Sequence, residues 1–536
     1  SFQHGIRPPP ALHSETLHRG AVMLRSANYD SFMMGVNQRR KQSYPVVCLY
    51  ATVALFGLLV VLALRMGDTS SEPQMAQMSR QDLMATLRSV PATVRFSPGF
   101  TSSMKKGCDT SSSSLHATRQ RLVPRSTEVS KREQLKQIKR QDTFNRMGFK
   151  ETRPIAEKEM FDEFQSDVIK DMRDNLYTME KGDITFRLAQ DFGFCWGVER
   201  AVQMAIEAKL HYGDKTIHIT NEIIHNPGVN DKMANMGIKF IPVEDGVKNF
   251  DQVEKDDVVI LPAFGATLEE MQLLTERGVQ IVDTTCPWVS KVWNSVDAHT
   301  KGGMTSIIHG TWSHEETIAT ASFAEDYIIV KTMQEAEYVA NYILNGGDKA
   351  EFMEKFKNAM SKGFDPDVHL KKLGLANQTT MYKKETRAIG QMLQKTMMQK
   401  YGPEELNKHY MEFDTICDAT QERQDAIHEL AEDKTIDFFL IVGGWDSSNT
   451  RHLVEIPEHQ GIPAYHIDRA ERLRPDNSIE YRTIDGEIKV LKNLLPEGKV
   501  RIGVTSGAST PDAYVADAMN RIVLMKSSIA NTESTA

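Results

Sequence analysis

Apolar residues along this chain fall into three regimes. From 46 to 64 they run without a charged residue, just after Arg39, Arg40 and Lys41. From 131 to 180 they are sparse: Phe144, Met147, Phe161, Phe164, Val168, Ile169 and Met172 are interleaved with Lys, Arg, Glu and Asp. That spacing predicts one surface helix over 155–176, laying one face on the main body. From 183 onward, short Ile- and Val-rich runs alternate with helical patterns. The runs 184–188, 216–220, 258–261, 279–282, 306–309, 327–330, 438–442 and 501–505 read as strands. Between the first two, Val198, Ala201, Val202, Ala205 and Ile206 recur at the spacing of one helix face. Such alternation predicts α/β units with parallel strands.

The cysteines divide this region. Cys195, Cys286 and Cys417 each follow an apolar or β-prone run and open a helical segment, in the settings Asp191-Phe-Gly-Phe-Cys195, Asp283-Thr-Thr-Cys286 and Asp414-Thr-Ile-Cys417. The expected architecture is therefore α/β: three related domains in a trefoil, 183–286, 287–413 and 414–526, each delivering one cysteine to a common centre. A helical extension (131–182) precedes them and a tail (527–536) follows. The polar stretches 341–372 and 382–407 read as peripheral helical insertions.

The first 130 residues read as a leader. The segment 46–64 is long enough to span a bilayer. Residues 68–130 are rich in Ser, Thr, Arg and Pro and poor in acids, like an organelle transit peptide. The order predicts two-step import into a plastid bounded by extra membranes, with Met23 a candidate start. A retained membrane anchor followed by a linker is the rival reading.

Composition narrows the chemistry. The chain has 536 residues and a net charge of −8, which argues against broad nucleic-acid binding. Five cysteines are too few for a disulfide scaffold. Cys48 lies in the apolar run and Cys108 in a Ser-rich stretch, which leaves three for the folded part. Any one alone would pass for a core residue; the repeated strand-to-helix setting points to ligands. A helix N-terminus favours the thiolate, the form that metals bind. No C-x-x-C is present, which weakens zinc and the bacterial ferredoxin pattern. A 4Fe-4S cluster with three cysteine ligands and one open iron fits best.

Ligands of doubly wound sheets bind beyond the carboxyl ends of strands. Those ends carry His225, His314, Glu316, Ser447, Ser448, Asn449 and Ser509, and Gln378, Thr379 and Thr380 stand before a helical stretch. The Ser447-Ser448-Asn449 and Ser506-Gly-Ala-Ser509 turns could hold a phosphate or diphosphate, although such turns also merely cap helices. A lone histidine is more often structural than functional; two at neighbouring strand ends favour function. Glu316, buried beside an anionic ligand, is a candidate proton donor. There is no G-x-x-x-x-G-K-[ST], which argues against P-loop chemistry.

Six motifs in order closely resemble the LytB family of hydroxymethylbutenyl diphosphate reductases. They are Phe194-Cys-Trp-Gly-Val198, Thr220-Asn-Glu-Ile-Ile-His-Asn-Pro227, Asp283-Thr-Thr-Cys-Pro287, Asn377-Gln-Thr-Thr380, Ser447-Ser-Asn449 and Gly503-Val-Thr-Ser-Gly-Ala-Ser509. The resemblance runs from about Asn145 to Met525 and is of plant and cyanobacterial type. It implies a 4Fe-4S cluster on Cys195, Cys286 and Cys417, and reductive removal of a hydroxyl from an allylic diphosphate at the end of the methylerythritol phosphate route. It implies that Glu316 relays protons and Thr379 positions the hydroxyl or a water. His225, His314, Ser447, Ser448, Asn449 and Ser509 would hold the diphosphate, with Gln378 and Thr380 as further candidates. A ferredoxin would supply electrons. One departure stands out: many bacterial members have a histidine where this chain reads Pro262-Ala-Phe264-Gly265, and Phe264 cannot bond a phosphate. Two rivals remain, an iron–sulfur hydro-lyase and a non-catalytic metal-cluster protein.

Overall fold

The computed structural model describes residues 130–533 apart from 245. The leader readings, including the apolar segment 46–64, Cys48 and Cys108, lie outside the described residues. Among the described residues no helix is long and apolar enough to cross a membrane.

Three sheets form three lobes. The first has five parallel strands in the order Phe144–Asn145, Gln280–Asp283, Val258–Leu261, Ile217–Ile219, Lys239–Phe240. The second has four, Tyr327–Val330, Thr305–His309, Leu373–Asn377 and Tyr410–Glu412, also parallel. In the third, a parallel centre of Ala464–Ile467, Phe438–Val442, Val500–Ser506 and Ile184–Leu188 carries antiparallel strands on both edges. The central strands are buried on both faces, Val258–Leu261 and Phe438–Val442 at every residue, as parallel sheets covered by helices require.

The strand Ile184–Leu188, read as the start of the first domain, pairs instead with Val500–Ser506 in the third lobe. That lobe is thus built from both ends of the described chain. The segment 155–176 is not one helix but two, Arg153–Phe164 and Asp167–Asp174, broken where Ser166 turns extended. The break has a packing cause. Ala156, Met160 and Phe164 enter the first lobe's core with Val202 and Ile206, whereas Ile169 and Met172 enter the third lobe's core with Phe186 and Met519. One straight helix could not serve both.

The stretch 382–407 is not peripheral. Its helix, Lys383–Tyr401, buries Ile389, Leu393 and Met397 in the second lobe's core. The terminal helix, Asp512–Glu533, continues through much of the expected tail.

Candidate active site

Every predicted site residue sits in a loop that leaves the carboxyl end of a parallel strand or in the helical turn that follows. The lobes turn these loops towards one another around a cavity of ≈110 Å³. It is lined by Cys195, Cys286 and Cys417, and by His225, His314, Glu316, Thr379, Thr380, Ser447, Ser448, Asn449 and Ser509. Gln378 is the exception. It is buried beside the cavity, where its carbonyl oxygen accepts from Thr311 N (3.0 Å) and Thr317 Oγ1 (3.0 Å) and its amide donates to Thr380 Oγ1 (2.7 Å). These bonds shape the loop that carries Thr379 and Thr380.

The loops are tied to each other, within a lobe and, through Ser509 and His225, between the third lobe and the first. Cys195 N donates to Ala508 O (3.1 Å), Cys286 N to Ala263 O (2.8 Å), and Ser509 Oγ to His225 O (3.2 Å). Asn449 Oδ1 accepts from Ala508 N (2.8 Å). Buried Arg423, on the helix after Cys417, donates to Gly193 O (2.7 Å) and Ala419 O (2.8 Å), fastening the Cys195 loop to the Cys417 helix. Arg200 likewise joins the Cys195 helix to Thr284 O in the Cys286 turn (3.3 Å). Gly197 has a steric reason: a Cβ there would lie 2.5 Å from Cys286 Sγ.

The cavity's electrostatics favour anions without a fixed cation. Its lining contains no Lys or Arg. Instead, Cys195, Cys286, His314, Cys417 and Ser447 are each the N-cap of a helix, so five helix N-termini converge on it. His314 Nδ1 accepts from Glu316 N (3.2 Å), which leaves the ring proton on Nε2. Burial, then the nearby His225, pushes the His314 pKa down to about 3, so the ring is neutral. His225 stacks on Phe264, with centroids 4.7 Å apart, and its Nδ1 lies 3.0 Å from Glu222 Oε2. Phe264 thus serves as a platform for the ring. His225 Nε2 and Asn449 Nδ2 are buried with no partner among the described residues. Both line the cavity, and buried polar atoms left this way mark where a ligand belongs.

Glu316 is buried and both its oxygens are held: Thr379 N donates to Oε1 (2.6 Å) and Thr379 Oγ1 to Oε2 (2.9 Å). Burial dominates and raises its pKa to about 7, against the two Thr379 bonds and the charge of His225. It therefore holds or releases a proton near neutrality.

The three thiols are the residues that could hold a metal. Burial, then the charges of Cys195 and Cys417, pushes the Cys286 thiol far up, although Trp288 and Val289 N–H groups oppose this. Cys417 is raised to about 12, by burial first and then by Cys195. Three thiolates here need a compensating cation. Among the described residues no three His, Cys, Asp or Glu close on a single ion position.

Sequence reasoning missed Glu222, which braces His225, and Trp288 and Thr420, which line the cavity. Their spacing carries no signal of its own.

Fold and site together define an α/β protein with a thiol-lined, anion-receptive cavity between three lobes. The LytB protein family model matches residues 186–523, and the chain belongs to that family. The 4-hydroxy-3-methylbut-2-enyl diphosphate reductase of Nostoc sp. is 55% identical over 393 residues, covering 73% of this chain and 97% of that protein. The protein of that name from Microcystis aeruginosa is 55% identical over 392 residues, with the same two coverages, 73% and 97%. Among solved structures, the E-1-hydroxy-2-methyl-but-2-enyl-4-diphosphate reductase from Plasmodium falciparum aligns with a TM-score of 0.47 at 23% identity, over 62% of this chain and 86% of that one.

Proposed function

We propose that this protein reduces 4-hydroxy-3-methylbut-2-enyl diphosphate to isopentenyl and dimethylallyl diphosphates. One observation carries the reading: a single cavity joins three cysteine sulfurs to a protonatable Glu316–Thr379 pair and to a wall of neutral hydrogen-bond donors. Sulfurs from three separate loops, with no C-x-x-C among them, suit a cluster better than a structural zinc. The proposed cofactor is a 4Fe-4S cluster held by Cys195, Cys286 and Cys417. When bound, it supplies electrons one at a time and a Lewis-acidic iron.

The protein's own residues do the rest. Overall, the substrate takes up two electrons and two protons, loses its hydroxyl as water and gains hydrogen on the allyl unit. His314 Nε2–H, Asn449 Nδ2, the serine hydroxyls and the helix N-termini bind the diphosphate. His225, braced by Glu222 at Nδ1, turns its unpartnered Nε2 towards the same anion. When protonated, Glu316 Oε2 becomes the donor to Thr379 Oγ1 across the same contact, and the hydroxyl gives its own proton to the cavity as it takes up that of the acid. Buried Ile224 and Ala263, with partly buried Val198, give the cavity an apolar wall.

A one-electron centre calls for a one-electron donor, here a ferredoxin-type protein. The leader's composition, together with cyanobacterial relatives, supports a plastid. Anaerobic turnover tests the function: reducing equivalents should disappear in step with product. Loss of water from the substrate without their consumption, giving a dehydrated product other than isopentenyl or dimethylallyl diphosphate, would make the protein a hydro-lyase, and no turnover at all would leave a non-catalytic metal protein.

A further inference from the structure

Tyr382 stands two residues beyond Thr380 and N-caps the helix Lys383–Tyr401. Its ring leaves the second lobe and lies against the third, 4.3 Å from the His452 ring centroid. Its hydroxyl lies 2.8 Å from Glu455 Oε2 and 3.0 Å from His452 O, sharing one proton between them. Glu455 Oε2 is also 2.8 Å from His452 Nδ1. Both partners belong to the helix Ser448–His459, whose N-cap is Ser447. One phenol therefore joins two walls of the cavity. On its own lobe it adjoins the loop that holds Glu316 through Thr379. On the other it grips the helix whose first turn carries Ser448 and Asn449.

From this we infer that Tyr382 is a positioning residue: it latches the diphosphate-binding helix of the third lobe to the proton-donating loop of the second. It touches neither substrate nor cofactor; it acts through Ser447, Ser448 and Asn449. The inference rests on the diphosphate reading of that turn. A latch of this kind fixes where the anion sits relative to Glu316. Loosening it weakens binding while chemistry in the bound complex persists.

The test uses the anaerobically prepared holoenzyme. Tyr382→Phe keeps the ring stack and removes only the hydroxyl. Losing a hydrogen bond to a carboxylate corresponds to about tenfold in affinity. The dissociation constant for inorganic diphosphate, by calorimetry, and KM for the allylic diphosphate should both rise by about that factor. Meanwhile kcat should stay within about twofold and the cluster's absorption spectrum unchanged. Glu455→Ala removes the acceptor from the other lobe and should give the same split. The double variant should lose clearly less than the product of the two single losses, because both break the Tyr382–Glu455 contact. Should Tyr382→Phe fail to fold, Glu455→Ala decides alone. Unchanged diphosphate affinity in the folded variants, or a fall in kcat without a change in KM, overturns the latch. Wild-type protein that neither binds diphosphate nor turns over would overturn the functional reading instead.

Discussion

Replacing Glu316 by Gln separates the proton from everything else the residue does. Thr379 N donates to Oε1 at 2.6 Å and Thr379 Oγ1 to Oε2 at 2.9 Å. Glutamine keeps the first contact through its carbonyl oxygen and replaces the second by donating to the threonine hydroxyl, so the loop holds its shape. What disappears is the group that gives up a proton near neutrality. General acid catalysis contributes about 10²–10⁴ in rate, or about 3–5 kcal/mol of barrier. Turnover with a one-electron dye should fall by that factor, with KM and iron content unchanged.

The pH dependence follows from the same burial. With a pKa of about 7, raised from 4.5, the wild-type acid is protonated below neutrality, and its rate should decline with pH above it. The linkage has a definite sign. A raised carboxyl favours folding fully below pH 4.5, and the contribution is lost as pH rises through about 7. The whole effect is about 3 kcal/mol. Glu316→Gln should abolish both the alkaline fall in rate and this loss of stability. A variant that turns over within about threefold of wild type would refute the assignment, because a true general acid contributes at least about 10².

Three further outcomes follow from named contacts. Gly197→Ala places a methyl 2.5 Å from Cys286 Sγ and should cost about 1–3 kcal/mol of stability and reduce iron loading, read by thermal melting and metal analysis. His314→Asn should weaken inorganic diphosphate binding about tenfold. That factor should stay constant from pH 6 to 8, since a ring with a pKa of about 3 does not titrate there. Arg423→Met removes the bonds to Gly193 O and Ala419 O and should lower stability by about 3 kcal/mol, read from denaturant unfolding.

Much of the site was legible because its residues stand at strand ends, and strands with Ile and Val runs announce themselves. Ile184–Leu188, Val258–Leu261, Tyr327–Val330 and Phe438–Val442 have the expected bounds. Leu373–Asn377 does not announce itself, though it delivers Thr379. Its Gly374 and Ala376 lower strand propensity, and the glycine's reason lies elsewhere in the fold: a Cβ there would meet the His299 ring at 2.2 Å. The antiparallel edge of the third lobe, including Ser478–Arg482 and Ile488–Lys492, was missed because its apolar residues, among them Ile479, Ile488 and Val490, are separated by charged and polar ones and form no continuous Ile/Val run. The home of Ile184–Leu188 was hidden for another reason: pairing partners over three hundred positions apart leave no local trace. Gln378 shows the limit of motif reading, since neighbours in one motif divide between lining the cavity and supporting those that do.

The central claim is that Cys195, Cys286 and Cys417 together hold one cluster. Its most direct test is the iron and sulfide content of anaerobically prepared wild type beside Cys195→Ser, Cys286→Ser and Cys417→Ser. The account predicts about four irons and four sulfides per wild-type chain, with each single substitution disrupting the cluster. A full, stable cluster in all three variants, or zinc in place of iron in the wild type, would contradict it.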